Sequence, residues 1–332
     1  MTQQYMLGGT KQVEPKAACW DASRVRSLSQ AEIKDAGRSF PKYPSDDITA
    51  LEMEELKALV AVRDEKLITG SLPALDVRFA GAYSGAGYGF LGATPTTRLP
   101  LSKYITEFPL PFGARVYARG AISTGRDLAR LFQSETPGLI HRQVLHSMFS
   151  SVPKGGAADY SPPRQALVWS ALEASITSAI HGAWQFKWLS GDYDRVSYRQ
   201  RPAEYNPQLD VLFDHDFNPK YNGNGQDEPV RVKLSGTPRH PAFPSGHSTV
   251  AGAASELLSY FFPQEREELD KLADNIGMAR LWGGVHWRSD HLAGMTLGRN
   301  IARFIITHQL ESGGFPQDEA APEVPTPGSA CR

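Results

Sequence analysis

The sequence predicts an all-α protein, a helical bundle joined by long irregular loops. Three observations carry that prediction. Apolar residues recur at steps of three and four over several long stretches, which places them on one face of a helix. No segment alternates apolar and polar residues strongly enough to mark a sheet. The connections are rich in glycine and proline, which break both helix and strand. With 332 residues, the chain is long enough for one large domain or two small ones.

In chain order, residues 1–45 are polar and broken by Pro15, Pro41 and Pro44. They read as an extended N-terminal arm over the surface, with one short helix near Ser29-Gln30-Ala31-Glu32-Ile33. Ser45-Asp46-Asp47 supplies an N-cap. Leu56, Leu59, Val60 and Leu67 then follow at helical spacing, predicting a helix over 48–68. Residues 80–114 alternate glycines with aromatics and continue into Pro95, Pro100, Pro109 and Pro111. No Gly-Lys-Ser/Thr accompanies them, so a covering loop is the better reading than a phosphate cradle. Helical spacing resumes at 119–134 and 137–150. After Pro162-Pro163 a long helix runs to about Leu189, with Leu172, Ile176, Ala179, Ala183 and Lys187 on one face. A polar insertion occupies 190–235. Helices return at 246–262, 265–280 and 285–309. Residues 46–310 thus form a single all-α domain, and 311–332 a flexible tail rich in Gly, Pro and Glu.

Composition excludes several classes. A formal net charge of −1 gives no reason to expect a nucleic-acid partner. No window is apolar enough to span a bilayer. The nearest, Leu167 to Leu189, carries Glu173, His181, Gln185 and Lys187, and reads as a helix buried in protein. His181 is expected there as a satisfied core residue. Met1 to Pro15 lacks a basic start followed by an apolar run, so no signal peptide is expected. A soluble protein follows, cytoplasmic or exported by a route the sequence does not display. Cys19 and Cys331 are too sparse for a stapled scaffold and read as unpaired thiols. Asp214, Asp216 and Asn218 imitate the start of a calcium loop. Pro219 and Gly225 replace the turn glycine and the closing glutamate, so they read as a polar loop.

Two groups carry chemistry. The first is Pro244-Ser245-Gly246-His247 at a helix start. Unbonded N–H groups and the helix dipole favour an anion there. Gly246 admits an oxyanion close to the backbone, and His247 can exchange a proton with it. The second is Arg280, His286 and Asp290. His286 and Asp290 are four apart and share a helical face. The carboxylate can accept one imidazole N–H and leave the other nitrogen to bond phosphorus or a metal. Gly283-Gly284 allows a turn that brings the Arg280 guanidinium, a planar fork of donors, back beside the ring. Together these groups suit a tetrahedral oxyanion.

Pro-Ser-Gly-His followed by Arg-x5-His-x3-Asp resembles the second and third signatures of the type 2 phosphatidic acid phosphatase and vanadium-dependent haloperoxidase superfamily. The likeness covers about 163–310, and the flanks His240-Pro241-Ala242-Phe243 and Gly283 to Asp290 are most similar to bacterial vanadium haloperoxidase-like members. The superfamily's first signature, Lys followed seven residues later by Arg-Pro, is matched imperfectly. Arg201-Pro202 fits its end, but seven residues earlier stands Asp194. Lys187 is fourteen before Arg201, with Arg195 and Arg199 as rival arginines. A continuous helix would hold Lys187 and Arg201 about 21 Å apart, too far to grip one small anion. The chain is therefore expected to break at Ser190-Gly191-Asp192 and fold back.

The resemblance implies a catalytic bundle that holds vanadate, or phosphate in its place. It implies that His286 bonds vanadium, and that Lys187, Arg201, Ser245, Gly246 and Arg280 hold the oxyanion. His247 handles a proton of hydrogen peroxide, and Asp290 orients His286. Hydrogen peroxide, a halide (bromide, iodide or chloride) and a small organic substrate are the implied partners, with a hypohalous species as product. The alternative is a soluble acid phosphatase working through a phosphohistidine at His286. The arm and the 80–114 segment are long enough to wrap a second copy in a homo-oligomer or to cover their own bundle.

Overall fold

A computed structural model describes residues 25–38, 46–65, 71–73, 98–106, 122–133, 137–150, 160, 162–190, 195–196, 198–212 and 237–312. Cys19, Cys331, the proposed N-cap at 45–47 and the loop at 214–218 lie outside the fully described residues. The fold is all-α. In chain order it comprises α1 (Gln30–Ala36), α2 (Asp46–Ala61), β1 (Ser71–Pro73), β2 (Arg98–Pro100), α3 (Lys103–Thr106), α4 (Gly125–Gln133) and α5 (Leu139–Ser150). There follow α6 (Pro162–Trp188), β3 (Leu189–Ser190), β4 (Arg195–Val196), α7 (Pro202–Tyr205), α8 (Gly246–Phe261), α9 (Arg266–Trp282) and α10 (Arg288–Ile305), which runs into a π-helical turn, Ile306–Glu311. The expectation of no sheet needs correction at two places. β1 pairs antiparallel with β2, and β3 with β4. These strands are two or three residues long, too short for a period-2 pattern to register. Within the 80–114 segment, β2 and α3 replace the expected irregular chain.

The bundle forms because its helices carry apolar stripes. On α6 the predicted face is buried throughout: Leu172, Ala179 and Ala183 are fully enclosed, with Ile176 and Lys187 at 1% exposure. His181 is exposed, not a core residue, since it falls off that stripe. The arm's helix α1 starts at Ser29, whose hydroxyl and Glu32 form a capping box, satisfying two backbone donors reciprocally. It docks through buried Leu28 and Ile33. The Leu28 N–H donates to the Ser178 hydroxyl of α6 at 2.8 Å. Among the described residues no helix is long and apolar enough to cross a membrane.

The contact that positions the site is between α8 and α10. Gly294 and Gly298 of α10 lie one turn apart against the α8 backbone. A Cβ at Gly294 would stand 2.7 Å from the Ser245 carbonyl oxygen. Only hydrogen fits there, and the two helices approach closely enough for the Ser245 N–H to donate to the Asp290 carbonyl at 2.9 Å. Ser245 and Asp290, 45 residues apart in the chain, thereby join the two sequence groups at adjacent helix starts.

Two outcomes are expected. Gly298→Ala places a Cβ 2.0 Å from the Thr249 carbonyl oxygen and 2.7 Å from the Ala253 nitrogen. Both obstacles are backbone, so the unfolding free energy in urea should fall by about 3 kcal/mol; an unchanged midpoint would contradict the packing. The second concerns His141 on α5, enclosed and bonded through Nε2 to the Ser255 hydroxyl at 3.0 Å. Burial, and then the Arg142 charge, drive it from near 6.5 down to about 3. The unfolded chain therefore takes up the proton first as pH falls. The stability His141 contributes is complete above about pH 6.5 and disappears toward pH 3. By pH 4.5 its share of the loss should be about 2 to 3 kcal/mol. His141→Leu should flatten that acid limb in urea titrations.

Candidate active site

The site lies where the starts of α8 and α10 meet the end of α6 and the segment before α7. Ser245 caps α8: its hydroxyl oxygen accepts from the Ser248 N–H at 3.3 Å and from the Ser248 hydroxyl at 3.0 Å. Both lone pairs being engaged, its own proton is left to donate elsewhere. Gly246 is the first helical residue, and the Trp184 ring stands 3.3 Å from where its Cβ would be. His247 follows, half-buried.

α9 ends at Trp282, and Gly284, at φ +71°, turns the chain back. This left-handed conformation suits glycine, and it delivers His286 to the start of α10. His286 Nδ1 lies 2.8 Å from Asp290 Oδ2, and Nε2 lies 3.0 Å from Arg201 Nη1. A guanidinium only donates. Nε2 must therefore accept, so the ring proton sits on Nδ1 and is donated to Asp290. Burial, then the positive charges of Arg201, Lys187 and Arg280, hold the imidazole well below its ordinary value. The ring is neutral, with the Nε2 lone pair facing the cations.

Asp290 is fully buried. Oδ2 also accepts from the Trp287 N–H at 3.0 Å, and Oδ1 accepts from Arg199 Nη1 at 2.7 Å. Arg199 and Arg201, two residues apart, thus reach opposite ends of the His286–Asp290 pair. Arg201 bonds the imidazole. It also donates to the Val285 carbonyl at 2.7 Å, the His240 carbonyl at 3.0 Å and His240 Nδ1 at 3.0 Å. Burial lowers it to about 10. Arg199 stands behind Asp290. Its other nitrogen reaches Glu52 at 2.6 Å, and its guanidinium lies 5.3 Å from the Trp287 ring centre.

Lys187 is enclosed at the end of α6. Its ammonium donates to the carbonyls of Pro241 at 2.7 Å, Ala242 at 3.2 Å and Pro244 at 2.5 Å. All three of its N–H bonds are accounted for by the loop that leads into α8. It faces the site through its charge while its donors shape the loop. Burial, then Arg201, push it well below its ordinary value, with Asp290 opposing. Three converging carbonyl oxygens are nonetheless the partners of an ammonium, since a neutral amine has only two N–H bonds. The fold-back after Trp188 is the β3–β4 hairpin, Leu189 opposite Val196, and it brings 199–201 beside Lys187. Arg280, on the last turn of α9, is buried and donates to the Phe132 carbonyl at 3.2 Å.

The structure therefore gathers His286, Asp290, Arg201, Lys187, Arg280, His247, Ser245 and Gly246 in one place. Sequence reasoning missed Glu52 and gave Arg199 no role of its own. Counting back four from Leu56 puts Glu52 on the buried face with Leu56 and Leu59, a carboxylate in an apolar stripe, and that was its signal. His240 was noted only as a flank. It adjoins Arg201 and Trp184, with ring centres 5.0 Å apart in the latter case. Burial, then the charges of Lys187 and Arg201, lower it to about 4.

Comparison with known proteins places this geometry. Residues 168–312 match the PAP2 superfamily. The vanadium-dependent bromoperoxidase of Corallina pilulifera is 34% identical over 101 residues, covering 22% of this chain and 17% of that protein. The lipid A 1-phosphatase of Rhizobium etli is 32% identical over 105 residues, covering 29% of this chain and 45% of that one. The matches thus span 17% and 45% of the lengths of these two relatives. The solved homohexameric second vanadate-dependent bromoperoxidase (AnII) of Ascophyllum nodosum superposes with a TM-score of 0.53 at 17% identity, covering 86% of this chain and 70% of that one. At that identity the likeness is one of fold. The fold, the two helix-start motifs and the family match agree, and the chain carries a PAP2 superfamily domain over residues 168–312.

Proposed function

We propose that this protein is a vanadium-dependent haloperoxidase, using vanadate and hydrogen peroxide to oxidise a halide to a hypohalous species that halogenates small organic substrates. The observation that carries the reading is the state of His286: a neutral ring with Nδ1–H given to Asp290 and the Nε2 lone pair turned toward buried cations. That is the state in which an imidazole bonds a metal. The residues fit the group. Lys187 and Arg201 are buried side by side and each is driven below its ordinary value, with Asp290 the carboxylate that acts on both. A tetrahedral oxyanion offsets that repulsion.

In this reading His286 would hold vanadium through Nε2, in place of the Arg201 N–H that this nitrogen now accepts. That freed Arg201 N–H, the Ser245 hydroxyl and the Gly246 N–H would donate to its oxygens, while Lys187 and Arg280 would supply charge. Bound vanadate supplies a Lewis acid that polarises hydrogen peroxide. His247, at the half-buried edge of the site, takes a proton from the incoming peroxide. Asp290 keeps the ring of His286 in one tautomer. A homo-oligomer, as in the Ascophyllum nodosum structure, belongs to the same proposal.

A second reading is supported by the lipid A 1-phosphatase, whose length is matched more fully than that of the bromoperoxidase. The same residues suit phosphomonoester hydrolysis. His286 Nε2 attacks phosphorus, the bond to the alcohol oxygen breaks, and His247 protonates the departing alkoxide. Water, giving its proton to His247, then releases phosphate from the phosphohistidine.

One purified sample in two assays separates these. With vanadate, hydrogen peroxide and bromide, halogenation of an organic trap is expected. Turnover of a chromogenic phosphomonoester that vanadate inhibits, without halogenation, selects the second reading instead. His286→Ala is expected to lower either activity on the order of 1000-fold or more with the circular dichroism spectrum unchanged, and undiminished turnover removes both readings. Lys187→Met is expected to act on folding as well as on the anion. It leaves three buried carbonyls without their donor, so the unfolding free energy should drop by about 3 kcal/mol. Vanadate affinity should weaken in the same variant, as measured by calorimetry.

A further inference from the structure

The PAP2 domain ends at residue 168 on its N-terminal side, yet the His286–Asp290 pair is held from outside it. Glu52, on α2, is fully buried. Its Oε1 accepts from the Ser289 N–H at 2.5 Å, and its Oε2 from the Ser289 hydroxyl at 2.9 Å and Arg199 Nη2 at 2.6 Å. Arg199 Nη1 in turn reaches Asp290 Oδ1 at 2.7 Å and the Ser289 hydroxyl at 2.6 Å. One guanidinium thus bridges two buried carboxylates, and the far one grips the ring that carries the bonding nitrogen. Every link is a charge-assisted hydrogen bond or a bond to α10's first turn.

We propose that Glu52 is a positioning residue: through Arg199 and Ser289 it fixes the Asp290 carboxylate, and so the tautomer and orientation of His286. The proposal rests on the reading of His286 as the bonding residue. Its physical basis is direct. An arginine facing Asp290 alone could swing among rotamers; anchored to Glu52 at its other nitrogen, it presents Nη1 to Oδ1 in one geometry. Burial pushes the Glu52 carboxyl above its ordinary value, and Arg199 and Ser289 oppose that. The three donors around it are those a carboxylate needs. Glu52 contacts neither oxyanion nor substrate in this scheme. It acts through Arg199, and the helix that carries it makes α2 part of the working site.

A neighbour on the same helix provides the control. Glu55 is also buried and pairs with Arg288 at 2.5 Å, one residue before Ser289. It docks α2 on α10 without reaching Asp290 through any of these bonds. The test compares Glu52→Gln with Glu55→Gln in the full chain. Two readouts are used: nitrogen-15 NMR of the His286 imidazole without added ligand, assigned with His286→Gln, and kcat in whichever assay the wild type passes. Expected is a wild-type ring in the Nδ1–H form and a mixture of tautomers in Glu52→Gln. That variant should lose about 10- to 100-fold in kcat with KM little changed, whereas Glu55→Gln should match the wild type in both. Equal effects from both variants assign Glu52 to helix docking and overturn the proposal. A wild-type tautomer in Glu52→Gln overturns it as well. Should Glu52→Gln not fold, Arg199→Lys is read in its place, because an ammonium keeps the charge but lacks the two-ended fork; an unaltered His286 tautomer there is equally fatal. A wild type without turnover in either assay defeats the proposed function, whereas the NMR comparison still decides the role of Glu52.

Discussion

The carboxylate of Asp290 is the point on which the site depends. One oxygen takes the His286 ring proton and the Trp287 N–H; the other takes Arg199; the backbone carbonyl of the same residue receives the Ser245 N–H. The two motifs are therefore joined through one residue. It sets which nitrogen of His286 carries the lone pair and where the start of α8 stands relative to that nitrogen. A buried carboxylate without partners would be costly, and here each oxygen accepts from at least one donor. The glycine seam between α8 and α10 makes this possible by letting the backbones approach until a direct bond closes.

Around that carboxylate the molecule concentrates positive charge in a space shielded from water. Arg201 donates to the neutral imidazole and disfavours its protonated form, and Lys187 anchors the loop before α8 while adding its charge. Burial lowers the affinity of each for its proton. Preorganised cations and helix-start N–H groups in a low-dielectric pocket act strongly on an oxyanion because no solvent must reorganise around it. The same electrostatics serve phosphate and vanadate. This is why one set of residues supports both proposed readings.

Much of the fold was legible because helices advertise themselves locally. The stripe Leu172, Ile176, Ala179, Ala183 and Lys187 is buried as its spacing implies, and α8, α9 and α10 begin within a few residues of where capping and periodicity place them. The helix predicted at 119–134 starts six residues later, at Gly125. His181 misled because it lies within a long apolar helix but off its buried face. The strand pairs were invisible because two or three residues carry no periodic signal.

The sequence by itself determined the chemistry of the two helix starts. Ser245, Gly246 and His247 are consecutive, and His286 and Asp290 are one turn apart, so local geometry alone aligns them. The resemblance, taken with helix rise, also implied that the chain folds back between Lys187 and Arg201. Only the tertiary structure decided which arginine does what. Arg199 and Arg201 are separated by one residue, yet packing sends one behind Asp290 and the other to His286. It alone turned the three N–H bonds of Lys187 onto backbone carbonyls and brought Glu52 across 147 residues to Arg199. Such bonds depend on how helices pack, which residue spacing along one helix does not encode.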